Sequence, residues 1–360
     1  MTLRKSVKVF LGCLIAVITV ILIYVGYVYI SYSRIADDFP LEVTQKAQVK
    51  QVEINKEYTI TTFNIGYGSY TPEYTFFMDG GKQSKAASRK SVIENISGVI
   101  DTTKRMDPDF ALFQEVDEKA TRSYGVNEIA QISQSFTDYS SISATNYDSA
   151  FLMYPIFDPI GKSKSGLLSL SNVEIESSTR YSLPIETNFN KFFDLDRAFT
   201  VSKIPVEDGK FLMLYNVHLS AYIKDEKIQK KQLHKLFDHM ETEYKKGNYV
   251  ICGGDFNHDL LETSTEIFQN NSDEEYTWLQ PFPKNELPKD LQVATLTETT
   301  TPVPSVRNLD KPYKKGESFV ALIDGFIISD NVENISGKVL DEDFNYSDHN
   351  PVEMTFKLKP

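Results

Sequence analysis

The chain has 360 residues, with 38 Lys and Arg against 50 Asp and Glu, for a formal charge of −12. A content of 41% hydrophobic and 24% charged residues describes a globular protein and excludes a mostly disordered one. Two cysteines exclude a disulfide scaffold and a cysteine-rich zinc site, and the acidic balance argues against coating nucleic acid by bulk charge.

No charged residue occurs between Lys8 and Arg34, and the intervening stretch reads VFLGCLIAVITVILIYVGYVYISYS. As a helix it is long enough to cross a hydrocarbon layer of roughly 30 Å. A removed signal peptide has a shorter apolar region, about 7–15 residues, followed by a small-x-small site, and none follows Tyr27. Arg4, Lys5 and Lys8 precede the span, and Asp37 and Asp38 follow it. The positive-inside rule then predicts residues 1–8 in the cytoplasm, a single-pass anchor over 9–33 in the cell membrane, and the remainder extracytoplasmic. Tyr24, Tyr27, Tyr29 and Tyr32 suit the outer interface. Cys13 then sits in the membrane and cannot pair with Cys252. Residues 34–55 are polar, contain Pro40 and show no period; they read as a stalk, a linker or an edge segment, ahead of a domain over 56–360.

From Tyr58 onward, short runs rich in β-branched and aromatic residues alternate with helical patterns. The strand-like runs are YTITTFNI (58–65), FALFQ (110–114), GLLSLSNVEI (166–175), AFTVSKI (198–204), KFLMLYNVHL (210–219), YVICGGDF (249–256), FVALIDGFIIS (319–329) and VEMTFKL (352–358). Val92, Ile96, Val99 and Ile100 predict a helix within 86–106. Ile228, Leu233, Leu236, Phe237, Met240 and Tyr244 predict another over 224–246, stopped at Gly247. Hairpin-like strands with few crossover helices imply an α/β or α+β protein with sheet packed on sheet. Residues 270–316 are polar and rich in Pro, and read as a long surface excursion.

Polar residues interrupt the apolar runs at their ends. Asn64 ends the first and Glu115 the second. Asn216 and His218 share one face of a strand, as do Asp255 and Asn257, which follow a Gly-Gly. Asp324 interrupts VALIDGFII, and Asp348-His349 precedes the last strand. If these strand ends converge on one rim, they supply four carboxylates, three asparagines and two histidines. Hard oxygen donors of that kind suit Mg²⁺ or Mn²⁺ better than Zn²⁺. Any one of these residues alone reads as a turn former or a structural histidine; the ordered set does not. Arg197 reads equally as a phosphate contact or an ion-pair partner, and His258 as facing substrate or structural. His234 and His239 read as surface residues of the second helix, and Tyr67 and Tyr222 as shaping a pocket.

The segments TFNIGYG, DPDFALFQEVD, SGLLSLS, NVHLSAY, GGDFNHD, IDGFIIS and SDHNPV resemble, in this order, the motifs of the endonuclease/exonuclease/phosphatase superfamily, the deoxyribonuclease I-like phosphoesterases. The resemblance spans 58–358. It implies a four-layer α/β/β/α sandwich and phosphate-ester hydrolysis with a divalent metal, usually Mg²⁺ or else Mn²⁺. It implies Glu115 as principal metal ligand with Asn64 and Asp348, and His349 activating water with Asp324 as its partner. Asp255 and Asn257 would touch water and phosphate, His218 the phosphate or the leaving oxygen, and Asn216 and Arg197 the substrate. In-line attack by water needs no covalent intermediate.

The expected substrate is nucleic acid, cut by an extracytoplasmic nuclease. A phospholipid head-group phosphodiesterase of the sphingomyelinase type, or a phosphatase, is the alternative, and a binding module without catalysis the distant one. A basic groove edged with aromatic residues would favour nucleic acid, and a narrow pocket a small head group. Loops 68–85 and 270–316 should decide this; the oligomeric state is open.

Overall fold

The computed structural model describes residues 2–192, 196–221, 226–269, 276, 278–296 and 302–360. Two seven-stranded mixed sheets lie face to face. The first runs in the order β1 (Phe39–Leu41), β7 (Ser177–Ser182), β8 (Ala198–Pro205), β9 (Phe211–His218), β10 (Tyr249–Asp255), β16 (Asp324–Ser329), β13 (Leu291–Val293). The second runs β17 (Val332–Val339), β18 (Val352–Leu358), β3 (Tyr58–Asn64), β4 (Phe110–Ala120), β6 (Ser163–Ser171), β5 (Ser140–Asp148), β2 (Val43–Gln45). Pairing is parallel only between β3 and β4 and between β9 and β10 among these strands. Two short pairs, β11 (His258–Asp259) with β12 (Gln280–Pro281) and β14 (Val306–Arg307) with β15 (Val320–Ala321), complete the sheets.

The period of the strands builds the layers. On β3 and β4, Ile60 and Leu112 point into the inter-sheet core, where they meet Leu214, Ile251, Phe326 and Phe356. Their neighbours Phe63, Ala111 and Phe113 point the other way and pack under α2 (Arg89–Met106) and α3 (Glu128–Ser135). Val92, Ile96 and Val99 of α2 form that contact, as their spacing predicts. Ser88 starts α2 by accepting a hydrogen bond from the Ser91 amide, and Asp107 ends it at φ 47°. On the far side, Leu233, Leu236, Phe237 and Met240 of α4 (Glu226–Lys245) cover the first sheet. The four layers are therefore helix, sheet, sheet, helix. The expected start of α4 at 224, and Tyr222, lie outside the described residues.

Residues 34–55 pair as edge segments of the two sheets. β1 covers the edge of the first sheet on β7, and β2 covers the edge of the second on β5, so one segment closes both on the same side. Val49 and Val52 bridge to Val173 and Val206, and Ala47 and Val52 are buried. An open edge is a row of unpaired amides and carbonyls, and short strands suffice to satisfy it. Strands of three residues are too short to carry a readable period.

Residues 278–296 and 302–316 are also less peripheral than their composition implies. β13 pairs with β16 at the other edge of the first sheet, and Phe282, Val306 and Leu309 are buried. At the start of the chain, α1 (Thr2–Ile30) includes a stretch, Arg4–Ile30, long and apolar enough to cross a membrane, and its apolar core is fully exposed. Its end touches the domain through ring contacts of Tyr29 and Tyr32 with Phe192. Arg34 pairs with Asp196 just beyond it.

Candidate active site

Three adjacent strands set the first row of the site. The registers of β9, β10 and β16 place His218, Asp255 and Asp324 side by side at one end of the first sheet. Gly254, at φ +151°, permits this: a Cβ there would lie 2.0 Å from the Val217 carbonyl oxygen. The second row comes from the facing sheet. β4 carries a bulge between Phe113 and Val116, and Glu115 sits in it at φ 56°. A bulge re-aims one side chain out of the strand's alternation, here toward the rim. Asn64 ends β3 and donates through Nδ2 to Asp255 Oδ2 at 3.0 Å, joining the two sheets. Its Oδ1 accepts the Gly66 amide at 3.1 Å. Gly66 in turn has φ +53°, and a Cβ on it would press Asp348 Oδ1 at 3.0 Å and Ser347 Oγ at 2.9 Å.

His349 lies in the turn before β18. Its Nδ1 is 2.8 Å from Asp324 Oδ2, which also accepts from Ser305 Oγ at 2.7 Å. Its Nε2 lies 3.8 Å from Asp255 Oδ2. His218 Nε2 lies 3.6 Å from the same oxygen and 3.7 Å from Glu115 Oε1. Asn257, at φ 49°, donates its amide to Asp255 Oδ1 at 2.9 Å and its Nδ2 to the Leu219 carbonyl at 2.8 Å.

The electrostatics follow from burial. Desolvation, reinforced by Asp348, raises the Glu115 carboxyl to about 8. Desolvation and Asp324 raise Asp255 to about 7. Asp348 is raised as well, again by burial first. His218 is driven well below its ordinary value by burial, and then by Arg197 and His349, so it is neutral. Burial works to lower His349 too, but Asp324, Asp348 and Asp255 overcome it and raise the imidazole to about 10.

This donor set fits a hard divalent cation. Glu115 Oε2 is buried with no hydrogen-bond partner among the described residues, beside carboxylates that disfavour its charge. Asp255, Asp324 and His349 also offer atoms within 4.8 Å of one another. The His349–Asp324 contact within that triad is already a hydrogen bond. Glu115, flanked by Asn64 and Asp348, is thus the position left in need of a positive charge.

Two expected site residues behave differently. Asn216 is fully buried between the sheets and does not line the cavity. Its Oδ1 accepts from Gln114 Nε2 at 2.8 Å, while Nδ2 faces the Phe113 and Leu168 carbonyls and Ser169 Oγ. With its donors and acceptor engaged it braces the sheets away from the cavity. His258 is buried and its Nδ1 meets the Phe256 carbonyl at 2.7 Å, a structural contact. His239 is half-buried on α4, not on the surface, and its Nδ1 lies 2.8 Å from the Tyr215 hydroxyl. His234 is exposed and pairs with Glu286, as a surface residue should.

Glu115, His218, Asp255, Asn257, Asp348, His349 and Arg197 line one cavity of about 140 Å³. Asn64 and Asp324 stand behind it. Sequence spacing did not find Arg122 and Arg307, which also line it. Arg122 is held by Asp117 at 3.0 Å, and its guanidinium lies 3.2 Å from the Tyr67 ring centre. Arg307 donates to the Thr71 carbonyl at 2.6 Å and supports the 66–79 loop; its Nε is buried without a partner among the described residues. Trp278, Phe77 and Tyr70 complete the wall. These residues lie in loops or, like Arg307 in the two-residue strand β14, in elements too short for a period to announce burial.

Paired mixed sheets flanked by helices, with carboxylates and histidines gathered at one rim, define the endonuclease/exonuclease/phosphatase fold, and the chain has that fold. Solved structures similar to it include the endonuclease/exonuclease/phosphatase from Beutenbergia cavernae DSM 12333, at 15% identity and TM-score 0.55, over 85% of this chain and 72% of that one. ANGEL2, a 2′,3′-cyclic phosphatase in complex with adenosine-2′,3′-vanadate, matches at 13% identity and TM-score 0.54, over 91% of this chain and 100% of that one. TDP2 from D. rerio, complexed with a single-strand DNA product, matches at 14% identity and TM-score 0.53, over 84% of this chain and 100% of that one. No family model and no curated protein sequence matches the chain.

Proposed function

We propose that the protein is a divalent-metal-dependent phosphoesterase, Mg²⁺ or Mn²⁺ being the cofactor, that hydrolyses a phosphodiester by direct attack of water. The observation that carries this reading is the buried Glu115 carboxyl, whose Oε2 has no hydrogen-bond partner among the described residues and whose Oε1 lies 3.7 Å from His218 Nε2. Glu115, Asn64 and Asp348 would hold the metal. A metal held there would supply positive charge to the phosphoryl oxygens and would offset the carboxylates that keep His349 protonated. Asp324 fixes the His349 tautomer through Nδ1, leaving Nε2 to take the proton of the attacking water. Asp255 and Asn257 orient that water and the phosphate. His218, neutral because buried, acts as a hydrogen-bond partner to phosphate and is a poor proton donor. Arg197 lines the cavity beside it and offers a cation to the substrate's charge. The water oxygen joins phosphorus, one P–O ester bond breaks, and the leaving oxygen departs as an alcohol.

In this reading α1 anchors the enzyme in the cell membrane with residues 1–8 cytoplasmic and the domain extracytoplasmic; the length of Arg4–Ile30 and its flanking charges support it. The ligands named in the similar structures, single-strand DNA and adenosine-2′,3′-vanadate, support nucleic acid as one substrate reading. Hydrolysis of bis(4-nitrophenyl) phosphate by the full chain, with Mg²⁺ and with chelator, tests the reaction class. Turnover that survives chelation removes the metal from it.

A further inference from the structure

The segment 149–161 forms one wall of the cavity and presents the opposite side to the surroundings. Phe151, Met153, Tyr154, Ile156 and Phe157 are exposed there, Ile156 at 73% and Phe157 at 101%. Inward, Leu152 and Ile160 are buried and line the cavity. Five large apolar side chains exposed within seven residues are costly on a water-facing surface.

The loop is tied to the apolar helix. Phe151 and Met153 donate their amides to the hydroxyls of Tyr27 and Tyr24 at 3.1 and 2.8 Å, and Tyr24 donates to the Phe151 carbonyl at 3.1 Å. Tyr24 lies six residues before the helix ends at Ile30, about 9 Å along its axis. The loop backbone therefore runs beside the apolar span rather than beyond its end. Part of the loop is also braced within itself. Leu152 and Gly161 exchange hydrogen bonds, Ile160 donates to Tyr154, and Asp158 donates to Pro155.

We propose that residues 151–157 and the adjoining end of α1 form one membrane-immersed surface, and that the substrate is the phosphodiester of a membrane lipid whose head group enters the cavity from the bilayer side. The substrate half rests on the proposed hydrolase activity; the immersed surface does not. Continuity carries the argument: the loop that meets the apolar helix on one side is the cavity wall on the other, and Phe77 and Met78 of that wall extend it, Phe77 packing on Tyr154 at 5.5 Å. A cavity of about 140 Å³ takes one phosphorylated group at a time. Water adds to the lipid phosphorus, one P–O ester bond breaks, and the departing alcohol carries away a proton of the water.

The experiment uses the full chain in proteoliposomes. Phe157→Trp fluorescence is compared with that of the wild type, whose one tryptophan is Trp278, in bilayers with and without brominated phosphatidylcholine. Added emission that is quenched by bromine supports immersion; added emission that brominated lipid leaves unchanged overturns it. In the second arm, Ile156→Ser combined with Phe157→Ser should lower lipid phosphoester hydrolysis about tenfold, the scale of lost apolar burial, with bis(4-nitrophenyl) phosphate turnover unchanged. Cleavage of a single-stranded oligonucleotide without lipid hydrolysis overturns the lipid substrate alone. Absence of all wild-type turnover strikes the proposed hydrolase and the substrate with it, while quenching would still report the immersed surface.

Discussion

Gln114 and Glu115 are neighbours on β4, and Asn216 and His218 stand two residues apart on β9, yet they belong to different regions. Gln114 and Asn216 lie in the inter-sheet core, where each hydrogen bonds to the other and the nearby carbonyls are capped. Glu115 and His218 lie at the rim, where an oxygen of Glu115 finds no partner among the described residues and His218 stands 3.6 Å or more from its carboxylates. The core satisfies its polar groups and gains rigidity. The rim leaves them unsatisfied, a stored cost that a cation and a phosphate can relieve. The same residue chemistry thus serves bracing or function according to a single step along the strand.

Breaking the rim should cost activity without cost to folding. His349→Ala is expected to lower turnover about 10³-fold, with an unchanged circular dichroism spectrum and melting point. Near-normal turnover would remove His349 from the reaction. Mg²⁺ is expected to raise the melting temperature of the wild type, and Glu115→Gln to abolish that rise and lower Mg²⁺-supported turnover about 10²-fold. A melting point that still rises with Mg²⁺ would move the metal elsewhere.

Breaking the core should do the reverse. Asn216→Ala leaves Gln114 and three acceptors without their partner, and is expected to cost about 2 kcal/mol in denaturant unfolding. Turnover per folded molecule should be near that of the wild type. A selective rise in KM with unaltered stability would restore Asn216 to the substrate.

The smallest effect sharpens the comparison beneath the rim. Glu128 is fully buried, its Oε1 lacks a partner among the described residues, and burial followed by Asp117 raises its carboxyl well above the ordinary 4.5. The native state then holds a proton that the unfolded chain releases. The stability this provides is complete below pH 4.5 and declines as pH rises toward the native value. Glu128→Gln keeps the acceptor for the Asp117 amide. It should match the wild type at low pH and unfold at a higher temperature than the wild type at pH 8. Parallel pH profiles for the two proteins would show that Glu128 is ionised in the fold.

Much of the site was legible because strands end where polar residues begin. Nine of the ten residues that the resemblance assigned to metal, water or substrate line the cavity or stand directly behind it. The exception, Asn216, shares the alternation of His218, and periodicity tells which face a side chain takes but not how far from the rim it lies. Arg122 and Arg307 were illegible because their roles rest on Tyr67 and Thr71, residues distant in the chain. The edge strands β1 and β2 were only one of the readings open for 34–55, because backbone pairing, not side-chain pattern, makes them.

The sequence by itself determined the apolar helix, the alternation that sorts side chains between core and helical layers, and the ordered polar strand ends. These are local patterns, and local geometry is enough to read them. Only the tertiary structure decided that five strand ends converge with a bulge in the middle of β4 that turns Glu115 inward, and that an apolar loop 127 residues along the chain meets Tyr24 beside the span. Each of those depends on contacts between residues far apart in sequence, whose geometry no local spacing encodes.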